Sequence, residues 1–78
     1  MTTMTTPSVL DLANQNGHAV QGDDRRAVSV FDQHGGWLIN VGRQLADGFQ
    51  CSPTQASRSY RADQRKAAER AIAKWLAS

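Results

Sequence analysis

Residues 26–45 read RAVSVFDQHGGWLINVGRQL, and the alternation in this stretch decides the fold. Two β-rich runs flank His34-Gly35-Gly36, where glycine supplies the positive φ of a tight hairpin turn. In the first run Val28 and Val30 share one face, with Ser29 and Phe31 on the other. In the second, Trp37, Ile39 and Val41 share one face, with Leu38, Asn40 and Gly42 opposite. A turn at His34-Gly35 pairs Val30 with Ile39; a turn at Gly35-Gly36 pairs Val30 with Val41. Either register brings the same apolar sets together, because side-chain facing has a period of two. The expected core face is Val28, Val30, Trp37, Ile39 and Val41. The second face carries Phe31 and Leu38 among polar residues.

Toward the C-terminus, Asp47-Gly48 is a turn signal, and Pro53 excludes a central strand around it. Phe49 and Cys51 suit a short edge strand. Residues 55–62, QASRSYRA, read as a further strand with Tyr60 inward and Ser57, Ser59 and Arg61 outward. Asp63 then stands at the N-cap of a helix over 63–77, where a carboxylate satisfies free N–H groups and suits the helix dipole. Ala68, Ala71, Ile72, Trp75 and Leu76 recur at i, i+3, i+4, i+7 and i+8, one apolar stripe. This stripe is expected to cover Trp37, Ile39 and Val41, with Trp75 anchoring the far end.

Toward the N-terminus, residues 8–17 read SVLDLANQNG. Ser8 is placed to cap a short helix, Asp11 resembles its capping-box partner, and Asn16-Gly17 is a stop signal. Val9, Leu12 and Ala13 share a face, expected to dock with help from Val20. Residues 18–24 read as a polar connection. Residues 1–7, which include MTTMTT, are expected to be flexible. The fold class is therefore α+β in one domain. A short N-terminal helix (8–17) and a C-terminal helix (63–77) accompany an antiparallel sheet (26–62) of about three strands.

Composition narrows the function. The chain has 78 residues, 40% of them hydrophobic and 21% charged, the mix of a folded domain rather than a disordered one. No stretch approaches the roughly 20 apolar residues of a membrane span. One cysteine, Cys51, precludes an internal disulfide and fits a reducing cytoplasm. The two histidines and the cysteine are too few and too scattered for a structural zinc site. Neither a metal nor a cofactor is expected.

No catalytic constellation stands out. Cys51, His18 and His34 lie in no recognisable nucleophile context, and Cys51 and His34 read as bystanders. Gly35-Gly36 lies between two strands, where a hairpin needs it, and not before a helix as a phosphate loop would. A chain of this size also has little room to enclose a substrate pocket. The expectation is a protein that binds rather than catalyses.

Two surfaces are candidates for binding. Charge is uneven: residues 1–24 hold three aspartates and no lysine or arginine, while all nine basic residues lie in 25–78 against four acids. On the C-terminal helix Lys66, Arg70 and Lys74 form a straight basic row at i, i+4 and i+8, with Arg65 beside it. Such a row suits phosphates or an acidic protein patch, and equally a solvated helix face. The second candidate is the open sheet face, where Phe31 and Leu38 are neighbours with Asn40, Gln44 and Arg61 around them. Two exposed apolar side chains among polar ones can anchor a partner, unless the N-terminal helix covers them.

The order hairpin, third strand, C-terminal helix over about residues 25–77 resembles the small DNA-binding domains of phage tyrosine integrases and plant AP2 proteins. There the sheet enters the major groove. Here the corresponding face carries Ser29, Phe31, Leu38 and Asn40, and the basic row lies on the helix behind it. In size and style the whole chain also resembles small phage and mobile-element proteins of the anti-CRISPR type. That resemblance implies a cytoplasmic inhibitor that blocks a host protein or nucleoprotein complex, such as a CRISPR effector, by steric occlusion. The alternatives are a small DNA- or RNA-binding module using the basic row, and an assembly protein that forms a homodimer through the open sheet face.

Overall fold

Alternating side chains and two glycine-ended turns build a meander, and two amphipathic helices close one side of it. The computed structural model describes residues 8–78. Helix α1 spans Val9–Asn16 and is followed by strands β1 (His18–Gly22), β2 (Ala27–Gln33), β3 (Gly36–Leu45), β4 (Gly48–Cys51) and β5 (Arg58–Arg61). A 3₁₀ turn, Ala62–Gln64, leads into α2, Arg65–Leu76. The expected flexibility of residues 1–7 lies outside the described residues.

The sheet is antiparallel, in the order β1-β2-β3-β4, with β5 also paired to β3. It has five strands rather than about three. The central hairpin takes the His34-Gly35 turn: Gln33 pairs with Gly36 and Val30 with Ile39. Gly35 supplies the turn's positive φ of 82°, which a β-carbon would disfavour. The far edge of β3 is shared by two short strands. β5 pairs with Gly36–Ile39 and β4 with Gly42–Leu45. Between them the Ser52 amide donates to the Val41 carbonyl at 2.8 Å.

The strand missed in sequence is β1, read there as a polar connection. As an edge strand it offers the core only Ala19, opposite Val30. One small core residue among polar ones leaves no alternating apolar signal to detect. The expected C-terminal strand shortens to Arg58–Arg61: Tyr60 does point toward the core, and Ser57 lies outside the strand.

Both helices lie on the same face of the sheet. In α1 Ser8 accepts the Asp11 N–H at 3.3 Å and Gly17 ends the helix at φ 85°. Its buried face is Val9, Leu10 and Ala13. Leu12 is only half-buried, and the innermost residue is Leu10. Leu10, Val28 and Val30 are fully enclosed, each stabilising the fold by about 1.5–3 kcal/mol. Ala68 and Ile72 of α2 complete the core with Trp37 and Ile39. Val41, Trp75 and Leu76 pack against this core but remain half-buried.

Asp63 is not the expected N-cap of α2. The chain first makes the 3₁₀ turn, in which the Gln64 side chain accepts the Arg61 N–H at 3.0 Å. The Asp63 carboxylate instead meets the Arg61 guanidinium at 3.2 Å, with both side chains about three-quarters exposed (74% and 73%). Such a pair contributes little.

Each helix is fixed to the sheet by an indole. Trp37 donates from Nε1 to the Leu10 carbonyl and to Asn14 Oδ1, both at 3.1 Å, holding α1. Trp75 donates from Nε1 to the carbonyls of Ala27 and Gly42, at 3.0 and 3.2 Å, holding α2.

Candidate functional site

With both helices on one side, no described element covers the opposite face of the sheet. The strand register sets one row of side chains straight across it. His18 pairs with Phe31, Phe31 with Leu38, and Leu38 with Ser59. The His18 and Phe31 rings stack, with centroids 4.2 Å apart and planes 15° from parallel. Phe31 is 41% exposed, the one large hydrophobic residue left open among those described. Leu38 is half-buried beside it.

The next row holds Val20, Ser29 and Asn40. His18 Nε2 lies 2.6 Å from Ser29 Oγ, so one bond fixes the imidazole edge while its face lies on Phe31. Ser29 is buried in this row. Asn40 Oδ1 accepts from the Ser57 hydroxyl, which ties the loop before β5 to the sheet. The outcome is a small apolar centre, Phe31 and Leu38, with a hydrogen-bonded polar border.

Three of the five residues expected on this face are together, while Gln44 lies farther along β3, opposite Phe49. Phe31 and Leu38 are direct cross-strand neighbours, and Asn40 follows one row on. Arg61 lies at the end of β5, opposite Gly36, with its guanidinium on Asp63. His18 was not anticipated. Its signal is faint in sequence, because only the unrecognised strand β1 places it beside Phe31.

The basic row on α2 divides. Lys66, Arg70 and Lys74 are exposed, and none forms an ion pair with a described carboxylate. Arg65 is not available in the same way. Its guanidinium grips Asp11 with two bonds of 2.8 and 2.9 Å, meets Ser8 Oγ at 3.0 Å, and donates from Nε to Glu69 at 2.9 Å. The Arg65 guanidinium holds the Asp11 carboxyl at a pKa of about 2, well below the usual carboxylate range. Asp11 and Glu69 hold the Arg65 pKa above its ordinary value. Arg65 is therefore a clamp between α1 and α2, 54 residues apart in sequence from Asp11.

Of the remaining row, only Lys74 is joined by other cations, Arg26 and Arg58, which line a groove with it. That groove is open, about 620 Å³ in volume, where sequence length suggested little room for a cavity. Cys51 is exposed at the end of β4, and His34 at the tip of the central hairpin. Among the described residues no three His, Cys, Asp or Glu side chains converge on a metal position. No described helix is long and apolar enough to cross a membrane. No protein-family model, curated protein or solved structure matches the chain.

Proposed function

We propose that this chain is a non-enzymatic binding protein that docks through its open sheet face onto a larger protein or nucleoprotein complex and inhibits it by steric occlusion. The observation that carries the reading is the row His18–Phe31–Leu38 on the face that neither helix covers. A stacked aromatic pair on a rigid sheet loses little conformational freedom on binding, so its contact area converts efficiently into affinity. The inhibitor role, with a CRISPR effector in the cytoplasm of a host cell as the candidate complex, follows from the resemblance to phage and mobile-element proteins of the anti-CRISPR type.

The test is a pull-down from host lysate with the wild type, Phe31→Ala and Leu38→Ala, each with and without nuclease. A protein captured by the wild type, retained after nuclease and weakened by about 1–2 kcal/mol in either variant supports docking through this face. Capture indifferent to both substitutions removes the face from the interface. A second copy of this chain as the only binder, seen as a dimer that Phe31→Ala dissociates, would make it an assembly protein.

The alternative is a small nucleic-acid-binding module that uses Lys66, Arg70 and Lys74 on α2, whose charges are exposed and unpaired by described carboxylates. Reversing Lys66 and Arg70 to glutamate abolishes nucleic-acid binding if that row is the contact.

A further inference from the structure

Arg26, one residue before β2, lies on the Val28–Val30 side of the sheet, away from Phe31. Its guanidinium sits 4.1 Å from the centroid of the Trp75 ring. Because the Trp75 indole is fixed to two sheet carbonyls, the guanidinium rests on an immobile platform. A guanidinium stacked this way keeps its in-plane N–H donors for an anion.

Around this pair the surface is concave. One cavity of about 620 Å³ runs between α2 and the loop before β5, with Arg26, Arg58 and Lys74 on its walls and Val41, Tyr60 and Trp75 in its lining. A second, of about 340 Å³, shares Arg26, Ser52 and Trp75 and adds Arg25 and Arg43. The two form one path with five cations along it. No Asp or Glu side chain lines either cavity, although Ser78, the last residue, lines the larger one and Asp23 lines an adjoining hollow with Arg25 and Arg26. Arg25, Arg26, Arg43, Arg58 and Lys74 make no ion pair with any described carboxylate. Arg43 donates only to the neutral Gln50 side chain, at 3.0 Å. Asp23, at the outer end, accepts the backbone N–H groups of Arg25 and Arg26 at 2.9 and 3.1 Å.

Five like charges held along one path repel each other, and an anion laid along it relieves that repulsion. The cations are spread over two joined cavities, so they suit a chain of repeated negative charges better than a single anionic group. Four of the five are arginines, whose fork matches phosphate with two bonds. Between them lie Tyr60, half-buried, and the Arg26 guanidinium over Trp75; an aromatic ring and a guanidinium plane are both surfaces on which unpaired bases stack. A duplex is too broad and stiff to follow so small a concavity. An acidic peptide satisfies the charge but leaves the aromatic lining unexplained.

We infer that this groove binds single-stranded nucleic acid, with phosphates on the N–H donors of Arg25, Arg26, Arg43, Arg58 and Lys74 and bases against Tyr60 and the outer face of the Arg26 guanidinium that covers Trp75. The groove is on the helix-bearing side of the sheet and Phe31 on the other, so the inference stands independently of docking through the open face. A chain that contacts protein on one side and a strand on the other is fitted to sit on a nucleoprotein complex.

The test uses the full chain and a fluorescent oligothymidylate of about twelve nucleotides, a length that spans a single-strand site of ordinary size. Fluorescence anisotropy reads binding. Arg58→Glu with Lys74→Glu reverses two groove cations. Lys66→Glu with Arg70→Glu makes the same charge change on the same helix outside the groove. The groove variant is expected to weaken binding at least about tenfold and the control less than about threefold, the contrast expected of phosphate contacts as opposed to bulk charge. With five phosphates neutralised, wild-type affinity falls about 130-fold between 50 and 200 mM salt, a log–log slope near −3.5 on a single strand.

Backbone and indole N–H resonances of the wild type provide a readout free of substitutions. The oligonucleotide is expected to move the Trp75 indole N–H and the Arg26 amide, and to leave Phe31 and Leu38 in place. The inference is overturned if the oligonucleotide does not bind, if the two double variants lose affinity equally, or if the shifts map to the Phe31 face. It is also overturned if duplex of the same length binds as tightly, or if polyglutamate displaces the oligonucleotide at matched charge. None of these outcomes bears on whether Phe31→Ala weakens a protein partner.

Discussion

Trp37 and Trp75 hold their helices to the sheet by the same device, an indole N–H on backbone carbonyl, yet their surroundings differ. Trp37 is 4% exposed and touches α1, the sheet and the core on every side. Trp75 is half-buried, with one bond pair to the sheet and a guanidinium on its ring. An enclosed ring contributes packing alone. A ring left partly open can contribute packing and also present a surface, and the second role is visible here only because a cation has settled on it. The α2 stripe in the sequence treats Ile72 and Trp75 as equals, whereas the structure seals one and leaves the other at the rim of a groove.

The largest expected effect separates the two rings directly. Trp37→Ala removes an enclosed aromatic and the bonds that hold α1, so about 3–5 kcal/mol is lost, comparable to the stability of a domain this small. Urea titration by circular dichroism should find the variant largely unfolded without denaturant. Trp75→Ala removes a half-open ring, and a loss of about 1–3 kcal/mol leaves a measurable cooperative transition. Equal losses at the two positions would erase the distinction between them.

A smaller effect concerns the clamp that presses α1 onto α2. The Asp11 pKa is lowered to about 2 by Arg65, below the unfolded value near 3.9. Its stabilising contribution is therefore full above the unfolded pKa and is lost as pH falls through the folded one. Arg65→Gln should be less stable than the wild type at neutral pH, and the gap should narrow between about pH 5 and pH 2. A gap that stays constant through this window would mean that Arg65 acts through packing rather than through the Asp11 carboxylate.

The smallest expected effect is at Phe31. As an exposed side chain it should tolerate Phe31→Ala with a change within about 0.5 kcal/mol of wild-type stability. A larger loss would show that the His18–Phe31 stack is part of the folding core, and that the uncovered face is less free than its geometry suggests.

The central hairpin was legible because apolar residues alternate along both strands, Val28 and Val30 in one and Trp37, Ile39 and Val41 in the other, all on the helix-covered face. The helix caps at Ser8 and Gly17 were legible for a local reason, since capping involves residues within one turn of each other. β1 was not, because an edge strand with one core residue has no period to read. The role of Arg65 was hidden for a different reason: its partner Asp11 lies on another helix, and a row of like charges on one helix says nothing about what faces it. Arg26 and Arg58 belong to the same case. Strand parity places Arg26 on the Val28 side in sequence alone, but only the return of α2 brings Lys74 and Trp75 to it. Contacts within an element leave a pattern, and contacts between distant elements do not.

The shared far edge of β3 has a bearing on solubility. An unpaired strand edge is a template on which another chain can add, and long regular edges invite fibrils. Here that side of the sheet ends in two strands of four residues each, β4 and β5, interrupted by the loop that Ser52 and Ser57 tether to β3. No continuous ladder is offered along it. The opposite edge, β1, is five residues long and stops at Gly22, whose φ of 123° turns the backbone out of the strand conformation. The molecule thus leaves one face of the sheet uncovered by its helices while giving neither margin the length on which copies could polymerise.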